Sequence, residues 1–433
     1  MTTFIKKTGI GIFFVLFAAS FWGCQDHFTQ VIKQMANVPI YKPYEEMRTS
    51  VEMGTVNTLQ RPGKIYFRDN FIFISEVGKG IHIYDNSNPS APVNISFIDI
   101  PGNVDIAIKN DVLYADNFTD LIVMDISDLT NCKLINRYKD VFPYALPPYD
   151  ESYPIAAIDR SLGVIIGWKL EESKSVCRDA ECGGQFPVWP SFAFSETQTA
   201  GLSAFDGNVG SRGGRTGGVA GSMARFALVN DYLYTVGETD LQLFNIQTPS
   251  TPVVGEKINI GMGIETIFPY EESLFIGSQT GMFIYDVSTP SSPSYLSEFV
   301  HVRSCDPVVV EGDYAYVTMR SGGNCRGWTN ELNVVDISNL SNPSLVSTRN
   351  MTNPSGLGVD NGQLFLCDGD AGLKIFDSSN PWNMQLVDTK PEINAFDVIP
   401  YNNVLMMIGS DGLYQYSYSN INKLELLSII PIN

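Results

Sequence analysis

The chain has 433 residues, 44% of them hydrophobic, with 47 Asp and Glu against 28 Lys and Arg and a formal net charge of −19. Only 17% of residues are charged, below the roughly 25% of ordinary soluble proteins, which excludes a disordered chain and a coiled coil. The acidic balance argues against a general nucleic-acid binder, which needs a basic face to displace counterions from phosphates.

Lys6 and Lys7 precede an uncharged apolar run from Gly9 to Trp22. That run is shorter than the about 20 residues of a membrane-spanning helix and has the layout of a secretory signal. A small residue, Gly23, immediately before Cys24 resembles a bacterial lipoprotein cleavage site, with Cys24 as the lipidated residue. Phe21 and Trp22 depart from the Leu and small residue usual there, and a plain signal peptide is the alternative. Residues 1–23 thus read as a signal peptide and 24–59 as a tether and lead-in segment. The expected location is extracytoplasmic, at the outer membrane or cell surface. Acyl chains rather than a basic patch would hold the acidic protein at the membrane.

Export permits disulfides. Six cysteines remain after Cys24, and six allow 15 pairings. We favour Cys177–Cys182 as a loop closure and Cys305–Cys325 as a hairpin staple; neither pair has a metal-finger spacing.

From residue 60 to the end the chain is a β-propeller repeat. Ile81-His-Ile-Tyr-Asp85, Leu121-Ile-Val-Met-Asp125, Leu241-Gln-Leu-Phe-Asn245, Met282-Phe-Ile-Tyr-Asp286, Leu332-Asn-Val-Val-Asp336 and Leu373-Lys-Ile-Phe-Asp377 recur at a period of about 40 residues, with a worn copy at Leu413-Tyr-Gln-Tyr-Ser417. Most copies are a short β-rich run ending in Asp and a turn, where the carboxylate can accept backbone N–H groups. Upstream lies a hairpin, as in Asp105-Ile-Ala-Ile-Lys-Asn-Asp-Val-Leu-Tyr114, with turn residues between apolar runs. A further strand follows each Pro-containing turn. Four antiparallel strands per 40 residues make a propeller blade, so the fold class is all-β. Inner hairpins start near residues 63, 104, 154, 224, 264, 305, 355 and 396, which favours eight blades. Seven is the alternative if the module at Pro154 forms no sheet of its own. That module runs into a long irregular insertion at about 171–218, which carries Phe186, Trp189 and Phe192.

Leu121-Ile-Val-Met-Asp-Ile-Ser127 and Leu332-Asn-Val-Val-Asp-Ile-Ser338 resemble the LVIVD repeat of secreted and lipoprotein β-propellers of bacteria, notably Bacteroidetes. The resemblance spans roughly residues 60 to 420, and Tyr44-Glu-Glu-Met-Arg48 and Gly221-Ser-Met-Ala-Arg225 also look like pieces of that family. It implies a propeller outside the cytoplasm and brings no catalytic residues. Asn245 and Ser417 depart from the repeat's Asp, and those blades are expected to close their turns differently.

Aligned on their turns, the inner hairpins place Lys64, Asp105, Arg225, Glu265, Asp306 and Asp397 near the start of the inner strands, at one mouth of the ring. These residues would bind a polar ligand or, through the acids, calcium; alternatively they neutralise one another in a wet channel. His301-Val-Arg-Ser-Cys-Asp306 is the densest chemical cluster, yet no third group is placed to orient a nucleophile. His82 reads as structural, and Asp368-Gly-Asp370 and Asp411 as turn residues first. No cofactor other than calcium is implied. Phe186, Trp189 and Phe192 would form an apolar patch for an envelope protein or a glycan, or fold back as local core. The preferred reading is a non-catalytic, lipid-anchored binding or scaffolding module of the cell envelope. The alternative is a calcium-assisted hydrolase or lyase with its site in the channel.

Overall fold

The computed structural model describes residues 29–49, 51–150, 152–178, 222–301, 307–321, 329–420 and 423–432. Among them, seven sheets share one plan: four antiparallel strands hydrogen-bonded in sequence order, at residues 62–99, 106–138, 226–259, 264–300, 308–350, 357–390 and 395–431. These are propeller blades, numbered here 1 to 7. From blade 1 to blade 7, each first strand touches the first strand of the next. Blade 1 gains a fifth, outer strand, Glu52–Gly54, from the lead-in segment.

The burial pattern follows the position in the ring. First strands are covered on both faces, so Ile106–Lys109 is buried throughout. Fourth strands form the outer edge, and Val253–Asn259 is almost wholly exposed. The hairpin turns between first and second strands carry left-handed residues, including Asn110, Asn230, Asn361 and Asn402 with φ of 53°, 52°, 51° and 49°. Asn adopts this region more readily than other side chains because its amide bonds the local backbone.

The repeat Asp does the work expected of it. Asp85, Asp125, Asp286, Asp336 and Asp377 each accept the backbone N–H of the residue two further on, at 2.7–3.0 Å. Asn245 departs from the Asp pattern but not from the turn, since its Oδ1 accepts the Gln247 N–H at 2.9 Å. The expected different closure holds for Ser417 alone, whose hydroxyl bonds that of Ser419 instead.

Neighbouring blades are latched by a second repeat feature. A fourth-strand serine donates to a carbonyl in the next blade's turn: Ser96 to Leu129, Ser297 to Leu340, Ser347 to Pro381 and Ser428 to Pro89. The last of these closes the ring from blade 7 to blade 1. There the Asn86 and Gln415 amides exchange two buried hydrogen bonds at 2.8 and 2.9 Å. An apolar cluster of Ile65, Ile72 and Ile74 with Ile399, Met406 and Ile408 seals the same seam.

The favoured count of eight is corrected to seven. Among the described residues, the module at Pro154 builds no blade. Ile155 makes a single parallel bridge to Asn37, and Val164–Arg178 pairs along its length with Thr29–Lys42 in a two-stranded antiparallel ribbon. The apolar alternation that read as a hairpin is one long strand whose partner comes from the N-terminal segment. Residues 171–178 are therefore strand rather than irregular insertion. Asn37 fixes the ribbon to the ring by donating to the Asp150 and Tyr153 carbonyls, both at 2.8 Å.

The segment 44–48 docks on blade 2. Met47 is fully buried, and Arg48 makes a two-pronged pair with Asp120 at 2.9 and 3.0 Å. Burial raises the Asp120 carboxyl, but hydrogen bonds from Arg48, the Asp140 N–H and Arg137 hold it below the usual range.

Candidate ligand-binding site at the ring mouth

Of the six mouth residues, three are linked by direct contacts. Lys64 and Asp105 are both buried and form an ion pair. Asp105 Oδ2 also accepts the Arg225 backbone N–H at 2.5 Å, and its Oδ1 accepts that of Ile106 at 2.8 Å. Burial lowers Lys64 from its ordinary value against the attraction of Asp105. Lys64, Asp105 and Arg225 are thus brought together across blades 1, 2 and 3, and Asp105 is consumed by protein donors. Glu265 does not line the cavity described below; it accepts from Gln279 at 3.3 Å and attracts Arg320. Asp397 is buried against Gly356, where an added Cβ would meet its Oδ1 at 1.9 Å. Asp306 lies outside the described residues.

The remaining sequence candidates divide similarly. Cys24, Cys182, Cys305, Cys325, Phe186, Trp189 and Phe192 lie outside the described residues. The Cys177 backbone pairs with Gln30 at the far end of the ribbon. No disulfide is present among the described residues; Cys132 and Cys367 are buried free thiols. His82 is buried in blade 1, with Nδ1 3.2 Å from the Asn94 amide and Nε2 3.4 Å from Glu76. Asp368 accepts the N–H groups of Thr352 and Asn353 and pairs with Lys374 at 2.5 Å. Among the described residues, no group of three or more His, Cys, Asp or Glu side chains could hold a metal ion.

What the mouth does contain is a cavity of about 290 Å3 beside blades 1–3. Arg61, Asp105, Asp116 and Arg225 line its polar side. Phe118, Phe142, Leu146, Pro147, Pro148 and Ile166 line its apolar side. Asp116 was not among the sequence candidates. It is 8% exposed, and its Oδ1 accepts three donors: the Asn103 amide at 2.8 Å and the N–H groups of Val104 and Asp105 at 2.7 and 2.8 Å. Its Oδ2 makes no hydrogen bond among the described residues. Burial pushes the Asp116 carboxyl up to about 6, against the pull of the Val104 and Asp105 N–H groups. Burial also lowers Arg225, whose charge is favoured by Asp116 and Asp105.

A signal for Asp116 exists in the repeat register. It is the fifth residue of its second strand, and the equivalents in the other blades are Ser75, Val236, Gly277, Thr318, Cys367 and Ile408. Only blade 2 places a charge there.

The segment leading into blade 3 braces the site from inside the ring. Ser222 and Ala224 are fully buried. The Ser222 hydroxyl accepts the Leu357 N–H of blade 6 at 3.0 Å, and the Ala224 carbonyl accepts the Ile267 N–H of blade 4 at 2.8 Å. Arg225 then reaches Asp105 of blade 2 through its own N–H. The backbone that presents Arg225 to the cavity is therefore pinned to three other blades. This is the Gly221-Ser-Met-Ala-Arg225 piece noted in the sequence, of which residues from Ser222 on are described.

The repeats match a known family at residues 64–99, 102–140, 270–300, 303–350 and 357–389. The chain carries LVIVD repeats. The matched segments leave out blades 3 and 7, the two blades with Asn245 and Ser417 in place of the repeat Asp. Thus the LVIVD pattern fades where its turn residue changes, while the blade itself persists. No curated protein matches the chain. Among solved structures, a protein from Lactobacillus plantarum aligns with a TM-score of 0.50 at 10% identity, covering 86% of this chain and 100% of that one. BamB from Moraxella catarrhalis aligns at 0.47 and 11% identity, covering 90% and 96%. The computationally designed protein Ika8 aligns at 0.47 and 8% identity, covering 85% and 87%. At these identities the first likeness speaks to fold alone.

Proposed function

We propose that this LVIVD-repeat propeller is an exported, lipid-anchored binding module of the cell envelope with no catalytic role. The observation that carries the binding reading is the cavity at the ring mouth, where a buried carboxylate keeps one oxygen unused beside a guanidinium braced by three blades. Preformed concave sites with apolar walls and a few polar groups are the usual form of a small-ligand site. Propellers host many activities, so the fold adds nothing to this by itself.

The anchoring reading rests on the signal-like residues 1–23 and on Cys24. Thr29, five residues after Cys24, begins the ribbon, whose 14-residue strand would span about 46 Å at a rise of about 3.3 Å per residue. An acylated Cys24 would then sit beyond the far end of the ribbon, away from the cavity. No helix among the described residues is long and apolar enough to cross a membrane.

Fractionation of cells producing the full chain tests the anchor. The wild type is expected in the membrane fraction and Cys24→Ser in the soluble extracytoplasmic fraction. Identical partition of the two would sink the anchoring reading and leave the cavity untouched.

A further inference from the structure

We propose that the mouth cavity binds a neutral, hydroxyl-bearing ring of the size of one sugar unit, held between the Phe118 ring and the Asp116–Arg225 pair. The proposal rests on the binding reading above and names the ligand class that reading leaves open.

Charge is the first argument. The cavity presents two carboxylates, Asp105 and Asp116, and two guanidiniums, Arg61 and Arg225, with the Lys64 ammonium paired to Asp105. A fully cationic ligand would meet Arg61, Arg225 and Lys64, and a fully anionic one would meet Asp116 and Asp105. Each would have to overcome a like charge in a site shielded from water. A neutral ligand that both donates and accepts hydrogen bonds meets no such opposition.

Donor and acceptor counting is the second argument. An ammonium brings three N–H donors. Asp116 has one oxygen left to accept, because Oδ1 already holds three. A zwitterion would therefore leave N–H groups unsatisfied at its cationic end, whereas a hydroxyl needs one acceptor. On the other side, Arg225 Nη2 already donates to the Val236 carbonyl at 3.0 Å. One nitrogen of the guanidinium is thus already committed, which weakens the two-pronged grip on a carboxylate or phosphate that is the strong form of anion binding.

The third argument is the wall. Phe118 adopts φ of 54°, a left-handed conformation that is a true outlier for a bulky residue. Its ring lies flat on Gly102, where an added Cβ would come within 2.5 Å of it. The two-residue hairpin between Asn117 and Asp120 imposes this φ, which fixes the direction of the side chain. The result is a rigid aromatic face at the cavity, matched to the apolar C–H face of a sugar ring, while the hydroxyl rim of that ring turns to Asp116 and Arg225. The volume of about 290 Å3 lies near the small end of ligand pockets, which accommodates one ring and its substituents.

Titration calorimetry on the full chain carrying Cys24→Ser tests this. The probes are glucose, galactose, mannose and N-acetylglucosamine, with glycine, phenylalanine, acetate and inorganic phosphate as controls. At least one neutral sugar is expected to bind, and none of the controls. Asp116→Asn should weaken that sugar by about tenfold or more through loss of the free acceptor. Phe118→Gly should weaken it by a similar factor. Glycine suits the backbone at position 118, so that variant should melt no lower than the wild type. Absence of any sugar binding, or sugar binding unchanged in Phe118→Gly, overturns the proposal. A control that binds in a Phe118-dependent manner overturns the ligand class while the binding reading survives.

Discussion

Two buried aspartates at the same end of second strands, Asp116 in blade 2 and Asp368 just after the second strand of blade 6, meet opposite fates. Both oxygens of Asp368 are taken. Oδ1 accepts the N–H groups of Thr352 and Asn353, and Oδ2 takes the Lys374 ammonium at 2.5 Å. Asp116 gathers all three of its donors on Oδ1 and turns Oδ2 to the cavity. Burial and residue type are shared, so neither distinguishes a structural acid from a binding acid. What distinguishes them is whether the fold consumes the second oxygen.

Removing each acid should separate the two roles. Asp368→Ala strips a buried ion pair and two backbone acceptors, and should lower unfolding free energy by about 3 kcal/mol. Asp116→Asn keeps the Oδ1 acceptor and removes a buried charge, and should be no less stable than the wild type at neutral pH. Urea denaturation of both variants checks this. Equal losses would break the distinction and make Asp116 a structural acid as well.

Acidification sharpens the comparison further. The folded Asp116 carboxyl titrates at about 6 against an ordinary value of 3.8. A raised carboxyl binds its proton more tightly in the folded than in the unfolded state. Its ionisation therefore costs stability above the folded value, and that cost vanishes below the unfolded one. Between pH 7 and pH 4 the wild type should gain stability relative to Asp116→Asn, by at most about 3 kcal/mol. The difference between the two proteins is the readout, because carboxylates such as Asp120, held low by Arg48, lose stability on acidification in both. A difference that does not change with pH would place Asp116 in a wetter setting than its burial implies.

The blades were legible because their signals are local. A strand run, a left-handed Asn at the hairpin and an Asp two residues before a turn N–H all lie within one repeat, so the period exposes them. The blade count was not legible at Pro154. There the apolar alternation is real, but its partner is Thr29–Lys42, more than a hundred residues upstream, and alternation does not say which strand it will pair with. The mouth was half legible. Aligning first strands found Lys64, Asp105 and Arg225, which do meet, and also Glu265 and Asp397, which do not line the cavity. It missed Asp116 because the decisive acid sits on the second strand, at a register position where the other six blades carry no charge. Ser222 and Ala224 escaped for another reason: a short polar lead-in gives no periodic sign that it will be buried across the ring.

The smallest effect is expected at the turns, and it asks the same question of an acid that faces water. Asp336 Oδ1 accepts both the N–H and the hydroxyl of Ser338, at 2.9 and 2.6 Å. If the oxygen matters and the charge does not, Asp336→Asn should cost less than about 0.5 kcal/mol, because Asn245 already closes the blade 3 turn with the same acceptor. Asp336→Ala should cost about 1 kcal/mol, as for other lost side-chain caps. Thermal unfolding of the pair measures the gap. Equal losses would mean that the carboxylate charge itself is needed, and the net charge of −19 would then be more than a by-product of a repeated turn.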